Sequence, residues 1–596
     1  MPKIERYKNW LIFVSSAAVF IYLLHLSWFK WGDLIVDTGR EMYAPLRICS
    51  GDVLYRNFYY IYGPFSPYLN ALFFKALGIK LSSLVVCGII TASVAGILVY
   101  KVSRIFLGKF CSALVLWTFY IVFAFGQYVY YGNYNFIVPY SYGAIHSVTF
   151  ALAALYFFYC WLRGGRRAGL LTTLFITLAL LSKIEVGLSI FVAVACGGML
   201  RGKARFKALG FIIFPFLAFG IIYLLFSISR GGLGDLLAGM LGAIRPNASI
   251  PGWLSGAANL KENIVIIIKS FVNYLILAAI FICGGVVEKR GRFYFFRSQE
   301  DLKNRTVPFF FSFVIGVIFI SAGCFFVKKF FPFDWQYRSL PVFLALAISA
   351  FLPAAVIAKT EAEKNKLLTL FCLALLSFLL LARTFFFVRP GHYGFYLLVP
   401  GMIFYYILFL EVIPRLLPAA INKAFFKIAF SAVFIIFIAG HFGLSRFCYA
   451  NKTLKVSTPA GTVSNFYNNR EENCSKLIEY LRQETTAEDT LVVFPEGPMI
   501  NFMAQRRNPL YYCMYMPLDL NRKGATDRVI REMERFKVSY VVINQRLADE
   551  QGYPVFGQDY GQAVRIYIGR NYDLVKQFGP FPFTSEEYGI AVFKRK

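Results

Sequence analysis

Charge is scarce in this sequence. Asp, Glu, Lys and Arg make up 16% of its 596 residues, where a soluble globular chain carries about a quarter. Acidic residues are the scarcer sign, 32 against 62 basic ones, which leaves a formal net charge of +30. So little charge excludes a single water-soluble globule, and a hydrophobic content of 58% excludes disorder. Histidine occurs only at His25, His146, His392 and His441, with no zinc-ligand spacing. No CxxC, HExxH, Walker-type phosphate loop or GxSxG is present, so the common redox, zinc-protease, nucleotide and serine-hydrolase signatures are missing. Seven of the 11 cysteines (Cys87, Cys111, Cys160, Cys196, Cys283, Cys324, Cys372) fall within or at the ends of apolar runs. Cys49, Cys448, Cys474 and Cys513 lie outside them, where a disulfide is permitted but no pairing is specified.

What is present is apolar length. Asn9 to Phe29 is too long for a signal-peptide core and lacks a small-residue cleavage site, so it is expected to be a first transmembrane helix. Further runs at 80–106, 110–130, 141–162, 168–181, 186–200, 208–228, 263–286, 306–327, 340–358, 367–383, 396–413 and 427–446 bring the expected spans to thirteen. The connections alternate between compact basic clusters and longer segments rich in aromatics, Gly, Pro and Asn. By the positive-inside rule the basic set and the N-terminus are cytoplasmic. These segments, with Lys3, Arg6 and Lys8, hold 25 of the 62 basic residues. Much of the net charge is therefore an orientation signal, and with no single basic stripe the nucleic-acid reading fails.

The clusters at 163–167 and 201–207 both lie inside, so the chain between them crosses an even number of times. Each arm of that hairpin, about 14–15 residues, reaches roughly 21–22 Å at the helical rise, short of a hydrocarbon core about 30 Å thick. The turn Ser182-Lys183-Ile184-Glu185 is thus expected below the outer surface. A bare charge there costs about 2.5–3.5 kcal/mol on insertion scales. Either Lys183 snorkels while paired with Glu185, or it faces a water-filled cavity open to the outside; the second is the expectation. Residues 1–446 form the membrane module, and 447–596 form a second domain with conventional amphipathic sequence. Helices are expected at 473–484 and 526–536, with strands at 490–494, 538–544 and 589–593, a small α/β domain outside the cytoplasm.

Three outer segments carry candidate chemistry. In the first (30–78), Asp37 and Glu41 are spaced to share a helix face, Arg40 lies beside them, and Arg56 and Tyr62 follow in a stretch dense in Tyr, Gly and Pro. The second runs from Tyr131 through Asn135 to Tyr140, without charge; its amides and rings suit either sugar hydroxyls or a wet turn. The third, Arg383 to Tyr396, puts Arg389, His392 and Tyr393 at one membrane face, as a site or as an interfacial aromatic belt.

An acidic first outer loop, many spans and an outer C-terminal α/β domain together resemble the GT-C superfamily of membrane glycosyltransferases, above all bacterial relatives of protein O-mannosyltransferases and of the lipid A aminoarabinose transferase. The motifs that carry the resemblance lie within 31–78, 131–146 and 182–187. It implies a polytopic α-helical membrane protein of the bacterial inner (plasma) membrane whose C-terminal domain is periplasmic or extracellular. It also implies transfer of a sugar from a polyprenyl-phosphate donor to a lipid, glycan or protein acceptor. Asp37 stands at the position of the catalytic carboxylate, with Glu41 as the second acid. Arg40, Lys183, Arg389 and His392 would hold the donor phosphate; Arg56, Tyr62, Asn135, Glu185 and Tyr393 would line the substrate surface. No cofactor is expected, although some members of the superfamily imply a divalent metal near Asp37 and Glu41. Two positions depart from the pattern: the adjacent Asp-Glu pair of protein mannosyltransferases is absent, and Asn57 stands where an acid follows Tyr-Arg in close relatives. The rival readings are a transporter or flippase of lipid-linked glycans, a polymerase of such glycans, and a non-catalytic anchor for the outer domain.

Overall fold

Helices follow the apolar runs. The computed structural model describes residues 2–201, 260–295 and 306–596 apart from 385 and 388, with scattered positions between 214 and 224. Among the described residues eight helices are long and apolar enough to cross a membrane: Asn9–Ser27, Leu81–Phe106, Tyr142–Leu162, Leu260–Arg290, Phe333–Ile357, Glu361–Ala382, Phe395–Leu416 and Lys423–Ala450. The expected span at 110–130 is shorter, Lys109–Ala124, and that at 186–200 is Ile184–Met199. The runs at 168–181 and 306–327 are the helices Arg166–Ser182 and Thr306–Phe330. The run at 208–228 lies outside the described residues. The protein is a multi-pass membrane protein.

The short hairpin has the expected form. Arg166–Ser182 and Ile184–Met199 are separated by Lys183 alone, whose φ of −155° and ψ of 110° break the helix. At 17 and 16 residues the arms reach only about 24–26 Å. Gly187 closes the bend, because a Cβ there would collide with the Leu180 backbone. Gly63 lies on the Leu181 carbonyl in the same way, so the first outer loop caps the turn.

The last membrane helix runs to Ala450, where the C-terminal domain begins. A hairpin, β1 (Leu454–Thr458) with β2 (Gly461–Asn465), docks it: Leu81 N–H donates to Ala460 O at 2.8 Å and Ser464 N–H to Phe29 O at 2.7 Å. The main sheet has the order β3-β4-β6-β5, from β3 (Leu491–Phe494), β4 (Tyr540–Asn544), β5 (Tyr572–Phe578) and β6 (Ile590–Arg595). β3 and β4 are parallel and the other pairs antiparallel. All five residues of β4 are buried, which its Val-Val-Ile run requires of a central strand. Helix Asn469–Glu484 contains the expected 473–484, and Ala525–Arg535 matches the expected 526–536 to within one residue at each end. All eleven cysteines are free thiols.

The outer loop is clamped between the two modules. Its helix Thr38–Cys49 packs on the C-terminal helix Pro498–Ala504 so closely that a Cβ on Gly39 would strike the Met499 backbone nitrogen. Tyr59 enters the core of the C-terminal domain, where its hydroxyl accepts from Arg522 at 2.6 Å.

Candidate active site

Asp37 owes its position to the turn before the loop helix. Asp33 Oδ1 accepts from the N–H groups of Ile35 and Val36 at 2.8 Å each, and Arg470 holds that oxygen at 2.5 Å. The chain then folds into a γ-turn, with Thr38 N–H donating to Val36 O at 2.6 Å. Asp37 is its central residue, with φ +60° and ψ −51°. That conformation is rare and strained for a residue with a side chain, at a cost of order 1–3 kcal/mol. Its own N–H donates to Glu496 Oε1 at 2.9 Å, a contact from the C-terminal domain. Asp37 therefore precedes the helix rather than sharing a face of it with Glu41, as the i, i+4 spacing suggested.

The Asp37 carboxylate is 7% exposed. Oδ1 lies 3.6 Å from Arg40 Nη1, whereas Oδ2 is buried and accepts no hydrogen bond among the described residues. Burial raises its pKa. Arg40, the Tyr393 hydroxyl and Arg546 pull the other way and Glu41 adds to the rise, with a net shift upward. Arg40 is held by Glu41 Oε1 at 3.2 Å, by the Tyr140 carbonyl at 2.6 Å and by the Tyr62 ring at 5.2 Å. Glu41 is fully engaged: besides Arg40 it accepts from Tyr60 Oη at 3.0 and 3.1 Å and from Tyr142 N–H at 2.8 Å. Arg40 thus stands between the two carboxylates. Among the described residues no group of three or more His, Cys, Asp or Glu is placed to hold a metal ion.

Lys183 lies beneath this group and is 2% exposed. Its ammonium sits over Tyr62 at 4.3 Å, Tyr396 at 4.8 Å and Tyr140 at 5.4 Å, donates to Tyr140 Oη at 3.3 Å, and meets Glu185 Oε1 at 3.6 Å. The water-filled surround expected from the sequence is replaced by this cage. Rings and a carboxylate stabilise the cation without water because the first outer loop seals the turn. Arg383 completes the group, 3.2 Å from the same Glu185 oxygen.

Of the remaining predicted residues Arg389, His392 and Arg56 separate from it, whereas Tyr393 stays beside Asp37. Arg389 is about half exposed, pairs with Asp334 at 4.0 Å and lies over Phe387. His392 is buried beside it; burial and the charges of Arg389 and Arg338 push it down to about 4, so it is neutral at pH 7 and carries no charge for a phosphate. This is a second cluster with different partners. Arg56 is exposed in a turn, its N–H on Val53 O at 3.2 Å. Asn135 is fully buried; its Oδ1 accepts from Ile137 and Val138 N–H at 3.0 Å each and so shapes a turn, while its Nδ2 has no hydrogen-bond partner among the described residues. Tyr393 packs on Tyr140 at 4.9 Å and Tyr134 at 5.2 Å.

Next to Asp37 an open cavity of about 800 Å³ lies between the modules, its wall including Val36, Tyr134 and Tyr393 from the membrane side and Arg470, Arg546 and Glu550 from the C-terminal side. Glu496 and Arg546 are the functional candidates that sequence reasoning passed over. Pro495-Glu496-Gly497-Pro498 reads as an ordinary strand-to-helix turn, and only an acid in an otherwise apolar setting marks it. Burial and the Asp37 charge raise the Glu496 carboxyl to about 7, against the pull of Arg546 at 3.1 Å.

No protein-family model and no curated protein matches the chain. Solved structures do. The Archaeoglobus fulgidus oligosaccharyltransferase tethered to an acceptor peptide superposes with a TM-score of 0.51 at 14% identity, over 97% of this chain and 74% of that one. The same enzyme with Zn and sulfate gives 0.50 at 15%, over 90% and 68%. ArnT from Cupriavidus metallidurans, bound to undecaprenyl phosphate, gives 0.42 at 12%, over 98% and 97%. At these identities the likeness is one of fold: the chain shares the fold of the Archaeoglobus fulgidus oligosaccharyltransferase.

Proposed function

We propose that the protein is a glycosyltransferase that moves a sugar from a polyprenyl-phosphate donor to a lipid, glycan or protein acceptor on the outer face of the bacterial plasma membrane. One observation carries this reading. A buried carboxylate with an uncommitted oxygen, Asp37 Oδ2, stands beside Arg40 and near Lys183, and the preceding residue, Val36, lines a cavity large enough for a substrate.

The chemistry follows from those positions. An acceptor hydroxyl or amine in the cavity gives its proton to Asp37 as its lone pair attacks the anomeric carbon. The bond from that carbon to the phosphate oxygen breaks, and polyprenyl phosphate departs with the electron pair. Arg40, with Lys183 and Arg383, offsets the negative charge that grows on the phosphate, and Arg40 and Lys183 do so strongly because they are already buried and fixed. Glu41 has no free lone-pair direction and serves to aim Arg40. The raised Asp37 pKa suits a base working near neutral pH.

Transport of an intact lipid-linked sugar needs charges along a path to both faces, whereas the buried charges named above gather on one side around Asp37. The two readings part in proteoliposomes loaded with polyprenyl-phosphate monosaccharides. Transfer releases free polyprenyl phosphate; movement of the intact donor without release contradicts it.

A further inference from the structure

We infer that Glu496 of the C-terminal domain is a positioning residue for Asp37, an inference that rests on the proposed role of Asp37 as the base. The γ-turn at Asp37 does not pay its own way: φ +60° with ψ −51° is unfavourable for aspartate, so something outside the turn must select it. The contact available is the Asp37 N–H donated to Glu496 Oε1 at 2.9 Å. That hydrogen bond to a carboxylate oxygen opposes the strain of the turn.

Glu496 is itself fixed at three points. Its second carboxylate oxygen meets Arg546 Nε at 3.1 Å, its carbonyl accepts from Asn544 Nδ2 at 2.6 Å, and the preceding Pro495 carbonyl accepts from Tyr515 N–H at 2.8 Å. It is 2% exposed. The helix that begins two residues later abuts Gly39, inside the loop helix that Asp37 introduces. Oε1 therefore sits on a rigid mount with Asp37 as its single amide partner. Arg546, which steadies that mount, also forms part of the cavity wall, so the second domain touches both the base and the space where an acceptor would lie.

Such a residue acts on the chemical step and leaves donor binding alone. The test uses the full chain in nanodiscs, a panel of polyprenyl-phosphate monosaccharides, and release of free polyprenyl phosphate. Glu496→Ala should lower kcat about 10²-fold, as a displacement of order 1 Å in a reacting group does, with donor KM within twofold. Glu496→Gln keeps a carbonyl oxygen for the Asp37 N–H and should recover most of kcat. Carbodiimide labelling of Asp37, read by mass spectrometry, follows the turn without any turnover: labelling should rise in Glu496→Ala and not in Glu496→Gln. Unchanged kcat and unchanged labelling in a folded Glu496→Ala protein overturn the inference, as does a loss confined to KM. Asp37→Asn is the reference. If it stays active, the reading of Asp37 fails; if it is inactive while Glu496→Ala keeps its kcat, only the positioning role fails.

Discussion

Two cationic groups answer to the same sequence signal and are built in different ways. Around Arg40 and Lys183, tyrosine rings and carboxylates enclose each cation, and Lys183 is 2% exposed, while Arg383 at their rim is 40% exposed and held by Glu185. Around Arg389, the guanidinium is about half exposed, its partner Asp334 is 4.0 Å away, and the neighbouring His392 is neutral. Both look alike in sequence, as Arg or Lys among aromatics near an outer membrane face. The difference shows that a cation kept for a developing charge is recognised by the enclosure that keeps it dry. An exposed pair such as Arg389–Asp334 is worth at most about 1 kcal/mol.

The largest expected effect within this comparison is at Lys183. Lys183→Met keeps the length of the side chain inside the ring cage and removes the charge. It should lower kcat for donor cleavage by about 10²–10³, the usual loss when one fixed transition-state donor is removed, as measured by polyprenyl phosphate release. A loss of less than threefold would erase the contrast between the groups.

Next comes the pH profile. Asp37 must be ionised to act, so activity falls as pH drops through its pKa. That pKa is raised by burial, held back by Arg40, by Tyr393 from the 383–396 loop and by Arg546, and pushed further by Glu41. The acidic limb of kcat/KM should therefore lie above the ordinary aspartate range of about 4. A limb at the ordinary value would mean that the site is wetter than its geometry indicates.

The smallest expected effect belongs to the second cluster. Arg389→Ala should change kcat and donor KM by less than about threefold, since an exposed, screened cation contributes little. A loss as large as that of Lys183→Met would make the two clusters one site and contradict their separation.

Much of this was legible in the sequence, for a physical reason. A membrane penalises charge, so Lys183 in a hairpin too short to span, and Asp37 and Arg40 in an aromatic loop, stood out as exceptions that needed a cause. Helix positions followed from apolar length, and β3, β4 and β6 from their Val- and Ile-rich runs. β5 was not legible: most of its residues are exposed, and Asp-Leu-Val-Lys-Gln has no apolar alternation. Glu496 and Arg546 were hidden for a different reason. They meet Asp37 across more than 450 residues of chain, and no local pattern encodes such a contact.

The most direct measurement is release of free polyprenyl phosphate from polyprenyl-phosphate monosaccharides by the full-length protein in nanodiscs, compared with its Asp37→Asn variant. The account predicts release by the unaltered protein and none detectable from Asp37→Asn, with equal membrane insertion and equal thermal stability of the two. Release by Asp37→Asn at a rate within tenfold of the unaltered protein would contradict it.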